Sequence, residues 1–107
     1  MLTLEEYLDA AGRSPFGRWF KGLDAQAAAK AAAALYRLEA GNGSEVRSVG
    51  SGVYERRIHF GPGYRIYFAR HGQQLILLLG GGTKGTQAAD ISRAKTRWDD
   101  FKQRRRR

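Results

Sequence analysis

The 107-residue chain contains no cysteine. That absence excludes a disulfide framework, a thiolate nucleophile and cysteine-based metal sites. It suits a reducing cytosol, and a cytoplasmic location is the expectation. Histidine is nearly as scarce: His59 and His71 are the two present, without metal-ligand spacing. Acidic residues are few, 10 against 19 lysines and arginines. Asp90, Asp99 and Asp100 fall where a helix face would carry them, so no paired catalytic acids, no Ser-His-Asp set, no metal site and no cofactor are expected. No apolar run approaches the roughly 18 residues that span a bilayer; Leu75–Leu79 has the length of a strand, so no membrane partner is expected. The N-terminus lacks a basic segment followed by an apolar one, so no secretion signal is expected.

What the chain has is positive charge, unevenly placed. Residues 1–46 carry five basic and six acidic side chains, a balance of −1. Residues 47–107 carry fourteen and four, a balance of +10. Excess charge confined to one segment of a small protein points to an anionic partner. The length fits one domain over 1–107, with a basic tail at 104–107 expected to be frayed and solvated.

Hydrophobic periodicity changes near residue 46. Before it, Ser14-Pro15 is a helix start with a capping hydroxyl and proline at the first helical position. Phe16, Trp19, Phe20 and Leu23 follow at helical spacing. Asp24 caps a second, alanine-rich helix whose inward face is expected at Ala28, Ala31/Ala32, Leu35 and Leu38; Gly41 ends it. Together they predict a helical hairpin. Leu2–Leu8 fits either a short helix or an edge strand. After residue 46, Val46–Val49, Val53–Phe60, Tyr64–Arg70 and Gln74–Leu79 read as strands joined by glycine turns, hence an antiparallel meander. GGGTKGTQ reads as a loop, and a last helix runs from about Gln87 to Gln103 with Ile91, Ala94, Trp98 and Phe101 as its apolar stripe. The fold class is α+β, an antiparallel sheet packed against an N-terminal helical hairpin and a C-terminal helix.

Residues 54–70, YERRIHFGPGYRIYFAR, hold four arginines. Strand alternation places Tyr54, Arg56, Ile58 and Phe60 on one face and Val53, Glu55, Arg57 and His59 on the other. On the next strand Tyr64, Ile66 and Phe68 oppose Arg65, Tyr67 and Ala69. The apolar faces should form the core, which leaves Arg57, His59, Arg65 and Tyr67 together on an open face. Arg56 is the misfit and is expected at a sheet edge, its stem buried and its head in water. Two arginines beside Tyr and His form a set able to grip phosphate. The competing reading is pairing with carboxylates. Only Glu55 is nearby in sequence, so that reading leaves one arginine unpartnered. GGGTKGT lacks the GxxxxGK[ST] spacing of a nucleotide-binding loop, yet a glycine loop before a helix can bring backbone N–H groups and Lys84 to a phosphate. It would serve equally as a plain connector.

Four segments carry a resemblance across most of the chain: SPFGRWFKGL (14–23), LEAGNGSEVRSVGSGVYERRI (38–58), GPGYRIYF (61–68) and LLLGGGTKGTQAADISRA (77–94). In this order they resemble the RelE/ParE superfamily of bacterial toxin–antitoxin toxins, and more closely its HigB-like branch of addiction-module killer proteins, the phage-derived Gp49-like group. The resemblance implies a small sheet packed by helices and a metal-independent mRNA endoribonuclease acting on ribosome-associated mRNA. It also implies a cognate antitoxin, small, of helix-turn-helix type and with an acidic contact surface. Arg65 of the GYR motif matches the arginine that holds the scissile phosphate. Arg57 falls on a basic strand position that activates the 2′-OH or stabilises the transition state, and Lys84 near the leaving 5′-oxygen. Arg47, His59, Tyr67 and Gln87 are the candidates for holding substrate. The sequence departs from the pattern in two places: Glu55 stands where some relatives have a second lysine, and the last helix offers no obvious Tyr or His as acid. Two other readings fit the composition: a ParE-like inhibitor of DNA gyrase and a non-enzymatic nucleic-acid-binding protein.

Overall fold

The computed structural model describes residues 1–105. Its elements are β1 (Thr3–Glu6), α1 (Pro15–Lys21), α2 (Ala25–Glu39), β2 (Val46–Gly50), β3 (Val53–Ile58), β4 (Tyr64–His71), β5 (Leu75–Thr83), a short 3-10 turn (Lys84–Thr86) and α3 (Gln87–Arg105). The five strands form one sheet in the order β1-β5-β4-β3-β2. The architecture is α+β with the expected N-terminal helical pair and C-terminal helix. β2 to β5 are the antiparallel meander; the ambiguous N-terminal segment resolves as an edge strand running parallel to β5. Parallel pairing needs a long crossover, which everything between β1 and β5 supplies.

Local chemistry sets the helix starts. The Ser14 hydroxyl accepts from the Gly17 N–H at 2.8 Å and the Asp24 carboxylate from the Ala27 N–H at 2.9 Å, each cap contributing about 1 kcal/mol. α2 buries Ala27, Ala31, Ala34 and Leu38. The inward face is therefore rotated from the expected one: Ala27 and Ala34 replace Ala28, and Leu35 sits at its margin. Methyl-sized side chains there bring the helix close to Ile58, Ile66 and Phe68.

Helices cover both faces of the sheet. α1 and α2 close a core of Phe16, Ala31, Ala34, Leu38, Ile58, Ile66, Phe68, Ile76 and Leu78. α3 closes a second, holding Tyr7, Val53, Tyr67, Ala69, Leu77, Leu79, Ala94 and Trp98. This explains why Leu75–Leu79 is apolar throughout: successive side chains enter different cores, each fully buried one contributing about 1.5–3 kcal/mol.

Three local expectations change. β5 continues through Gly80, Gly81 and Gly82 to Thr83 instead of ending at Leu79. Those glycines remain in strand because neighbours occupy the space of a side chain: Trp19 over Gly81, Asp90 over Gly82 and the Arg97 guanidinium over Gly80. Arg56 is not at an edge, since β2 lies outside β3; it is buried, and its Nη1 donates to the Arg57 carbonyl. Of the basic tail, Arg104 and Arg105 complete the last turn of α3. The Arg104 guanidinium pairs with Asp100 at 2.6 Å and donates to the Leu8 carbonyl at 2.6 Å; Arg106 and Arg107 lie outside the described residues. No helix among the described residues is long and apolar enough to cross a membrane.

Candidate functional site

The hairpin turn and the β5–α3 junction meet at one carbonyl. In the Gly61-Pro62-Gly63 turn, the Gly63 N–H donates to Phe60 O at 3.1 Å. Gly63 has φ +78°, a left-handed conformation that favours glycine. That conformation presents its carbonyl to two donors: Arg65 Nη1 at 2.7 Å and the Lys84 backbone N–H at 2.9 Å. Arg65 and Lys84, 19 positions apart in sequence, are thereby fixed beside each other. Arg57 stands opposite Arg65 across the β3–β4 pair.

Glu55 anchors the same face from beneath. It is fully buried and collects three partners: Arg47 Nε on Oε2 at 2.7 Å, Gln87 Nε2 on Oε1 at 2.8 Å, and Arg65 Nε, 3.5 Å from Oε1. A buried carboxylate needs such company. The Arg65 side chain is only 10% exposed. With Nε toward Glu55 and Nη1 on Gly63, nothing among the described residues bonds its Nη2.

A second carboxylate serves the outer arginine. Glu45 lies 3.7 Å from Arg57 and 2.5 Å from His59 Nε2. Its backbone is left-handed, φ +63°, a conformation that costs a non-glycine residue roughly 1–2 kcal/mol. The His59 hydrogen bond, with help from Arg57, holds the Glu45 carboxyl below the usual carboxylate range. Both arginines therefore have carboxylate partners, and the expectation that one would lack a partner fails. Glu45 was not legible as that partner, because its role depends on the turn that brings residue 45 beside Arg57.

Arg57, Arg65, Lys84, Arg47, His59 and Gln87 thus gather around one patch, but their roles in it differ. Lys84 and His59 are exposed, Arg57 is half-exposed, and Gln87 is turned inward onto Glu55. Tyr67 is fully buried under α3, so the face is not open at its position, and its hydroxyl has no hydrogen-bond partner among the described residues. Burial, the largest cause, and the nearby Glu55 and Asp90 charges push the Tyr67 phenol well above its usual range. It stays protonated at every physiological pH. Among the described residues no three side chains of His, Cys, Asp or Glu converge in a metal-binding group. What the patch offers chemically is positive charge: two guanidiniums on adjacent strands, an exposed lysine whose backbone is tied to the same turn, and an imidazole oriented at their margin. Such an array stabilises charge that develops on phosphorus-bound oxygens.

Comparison with known proteins supports the assignment at family level. The sequence pattern of the phage-derived Gp49-like proteins matches residues 18–99. A protein of Haemophilus influenzae described as uncharacterized is 42% identical over 81 residues, covering 75% of this chain and 82% of that protein. The matched span runs from α1 through most of α3 and takes in every residue of the patch, and on it the chain belongs to the phage-derived Gp49-like family.

Proposed function

We propose that the chain is the toxin of a toxin–antitoxin pair and an endoribonuclease that cleaves ribosome-associated mRNA. The observation that carries this reading is the Gly63 carbonyl, which sets the Arg65 guanidinium beside Lys84 and opposite Arg57. In-line attack of a 2′-oxygen on the adjacent phosphorus forms the O2′–P bond of a 2′,3′-cyclic phosphate and breaks the P–O5′ bond, the 5′-oxygen leaving as a hydroxyl with a proton taken from water. The negative charge of the five-coordinate phosphorus falls between Arg57 and Arg65, with Lys84 at the leaving oxygen. The 2′-OH proton passes to His59, whose imidazole Glu45 orients. Arg47 and Gln87 act through Glu55, keeping Arg65 in register. The partner is a cognate antitoxin that covers the basic patch with acidic side chains, matching the net charge of +9. The family match is consistent with a toxin of this kind.

The test is cleavage of ribosome-bound mRNA by the wild type and by Arg65→Ala. Removing one such donor commonly lowers the rate on the order of 10²-fold or more; equal rates in the two proteins overturn the reading. A second reading, nucleic-acid binding without cleavage, is favoured by the shallow exposure of Arg65 and the carboxylates already on both arginines. RNA binding that Arg65→Ala weakens, with no cleavage by the wild type with or without ribosomes, would select it.

A further inference from the structure

β1 pairs with only the first part of β5, Leu75–Leu78, so Leu79–Thr83 forms an edge with no strand on that side. Beside this edge lies a cleft of about 280 Å³ between the loop before α1 and the face of α3. Arg13, Arg18, Arg93 and Arg97 line it, with Trp19 and Gly81 in its wall. Two carboxylates also reach it, and both are engaged. Asp9 accepts the backbone N–H groups of Ala11 and Arg13, each at 2.9 Å. Asp90 accepts from the Thr86 hydroxyl at 2.5 Å and from Arg93 Nη1 at 3.3 Å. Among the described residues neither Arg13 nor Arg18 has a carboxylate within ion-pair distance. Four guanidiniums against two satisfied carboxylates leave the cleft positive.

The cleft is one strand away from the proposed phosphate grip. Gly82 is the cross-strand partner of Arg65, Gly81 lies in the cleft wall, and Asp90 of the cleft sits over Gly82. Gly80, Gly81 and Gly82 separate the two sites, with the Arg97 guanidinium, Trp19 and Asp90 packed over them.

We propose that this cleft is a second anion site that takes a flanking phosphodiester of the same single-stranded RNA, with the Trp19 indole as the wall against which a base rests. The proposal rests on the ribonuclease reading for its ligand. Planar guanidiniums match phosphate oxygens in pairs, and an aromatic wall is the usual companion of phosphate contacts in single-strand recognition. An acidic peptide adding a strand to β5 finds less to bind. The Leu79 carbonyl already accepts from Arg97 Nη1 at 2.9 Å, and the Thr83 N–H donates to the Thr86 hydroxyl at 3.3 Å. Few backbone groups remain for a ladder.

The experiment measures binding of a labelled single-stranded 2′-O-methyl oligonucleotide, which cannot be cleaved, to the full chain over a range of salt. The double variant Arg13→Ala/Arg18→Ala is compared with Arg70→Ala/Lys102→Ala, which removes equal charge away from both sites, and thermal unfolding checks that all three proteins are folded. The cleft variant should bind roughly tenfold or more weakly. Its slope of log K against log salt should shrink by about 1.4, roughly 0.7 for each lost contact. Equal losses in the two variants, no binding by the wild type, or displacement of the oligonucleotide by poly-glutamate at equal charge concentration each overturn the proposal. Cleavage by the wild type alongside cleft-independent binding removes the cleft and leaves the ribonuclease. Cleft-dependent binding without cleavage does the reverse.

Discussion

Arg57 and Arg65 face each other directly across the β3–β4 pair, and each is held by its own glutamate. Like charges in register on one sheet face repel. The pair persists because Glu55 lies beneath Arg65 and Glu45 stands outside Arg57. The two glutamates differ in depth: Glu55 is fully buried, whereas the Glu45 side chain is 38% exposed. That difference in depth sets how much each carboxylate contributes to stability.

Replacing Glu55 with alanine removes the hydrogen-bond acceptor of Arg47 and Gln87 and the ion-pair partner of Arg65. Breaking a buried ion pair by deleting one partner costs about 3–5 kcal/mol. In a domain of this size that lowers Tm by more than about 10 °C. Glu55→Gln, which keeps an acceptor oxygen but not the charge, should fall between alanine and wild type. Arg47→Ala should cost under about 1 kcal/mol, because more than half of that side chain is in water. Thermal unfolding followed by circular dichroism orders the three variants; a Glu55→Ala protein melting with the wild type would contradict the assignment of Glu55 as the anchor.

Tyr67 yields a prediction of opposite sign. Its ring fills the core under α3 while its hydroxyl has no partner among the described residues. Tyr67→Phe retains the ring and removes a polar atom whose unpaired burial costs about 1–3 kcal/mol. The variant should be at least as stable as the wild type in urea unfolding. Its cleavage rate should be unchanged, because a phenol pushed so far up neither donates nor accepts a proton at neutral pH. A tenfold loss of rate in a fully folded Tyr67→Phe protein would place the hydroxyl at the substrate instead.

Glu55 and Tyr67 also mark the reach of strand alternation. Alternation placed Glu55, Arg57, Arg65 and Tyr67 on one face, and the structure keeps them there. It could not say what covers that face, because α3 begins only at Gln87, well beyond Tyr67 in sequence, and the depth of each residue depends on where the helix crosses. Tyr67 lies beneath it, and Lys84 lies beyond its start. The glycine run after Leu79 read as loop because glycine weakens strand patterns; only the packing of Trp19 and Asp90 explains why it is strand. Glu45 was invisible as a partner for the same reason: a left-handed turn, not a period, brings it to Arg57 and His59.

Glu45 and Asp9 both have carboxyls held below their ordinary values, 4.5 and 3.8. For Glu45 the largest cause is the His59 hydrogen bond; for Asp9 it is the Arg13 N–H. A group whose pKa is depressed by folding adds stability above its unfolded value and loses it as pH falls through the folded one. Stability should therefore be flat for these two groups above about pH 5 and decline below their ordinary values. Glu45 is exposed and Asp9 only half-buried, so the decline is shallow. Urea unfolding at stepped pH should show Glu45→Gln with a smaller acid-side loss than the wild type. An identical acid limb in both proteins would exclude the Glu45–His59 contact as a contributor.

Gly81 tests the packing that positions both proposed phosphate sites. Its φ is not left-handed, so alanine is acceptable to the backbone there; what forbids it is the Trp19 ring, which occupies the place of a Cβ. Forcing a methyl group into a filled space costs about 1–3 kcal/mol through displaced side chains. Gly81→Ala should therefore lower Tm by several degrees and shift the Trp19 ring, altering its fluorescence. The double variant Gly81→Ala/Trp19→Leu relieves the collision and should recover part of the loss relative to Trp19→Leu alone, a coupling that a double-mutant cycle measures directly. Additive losses within about 0.5 kcal/mol would mean that the glycine is required for some reason other than the ring.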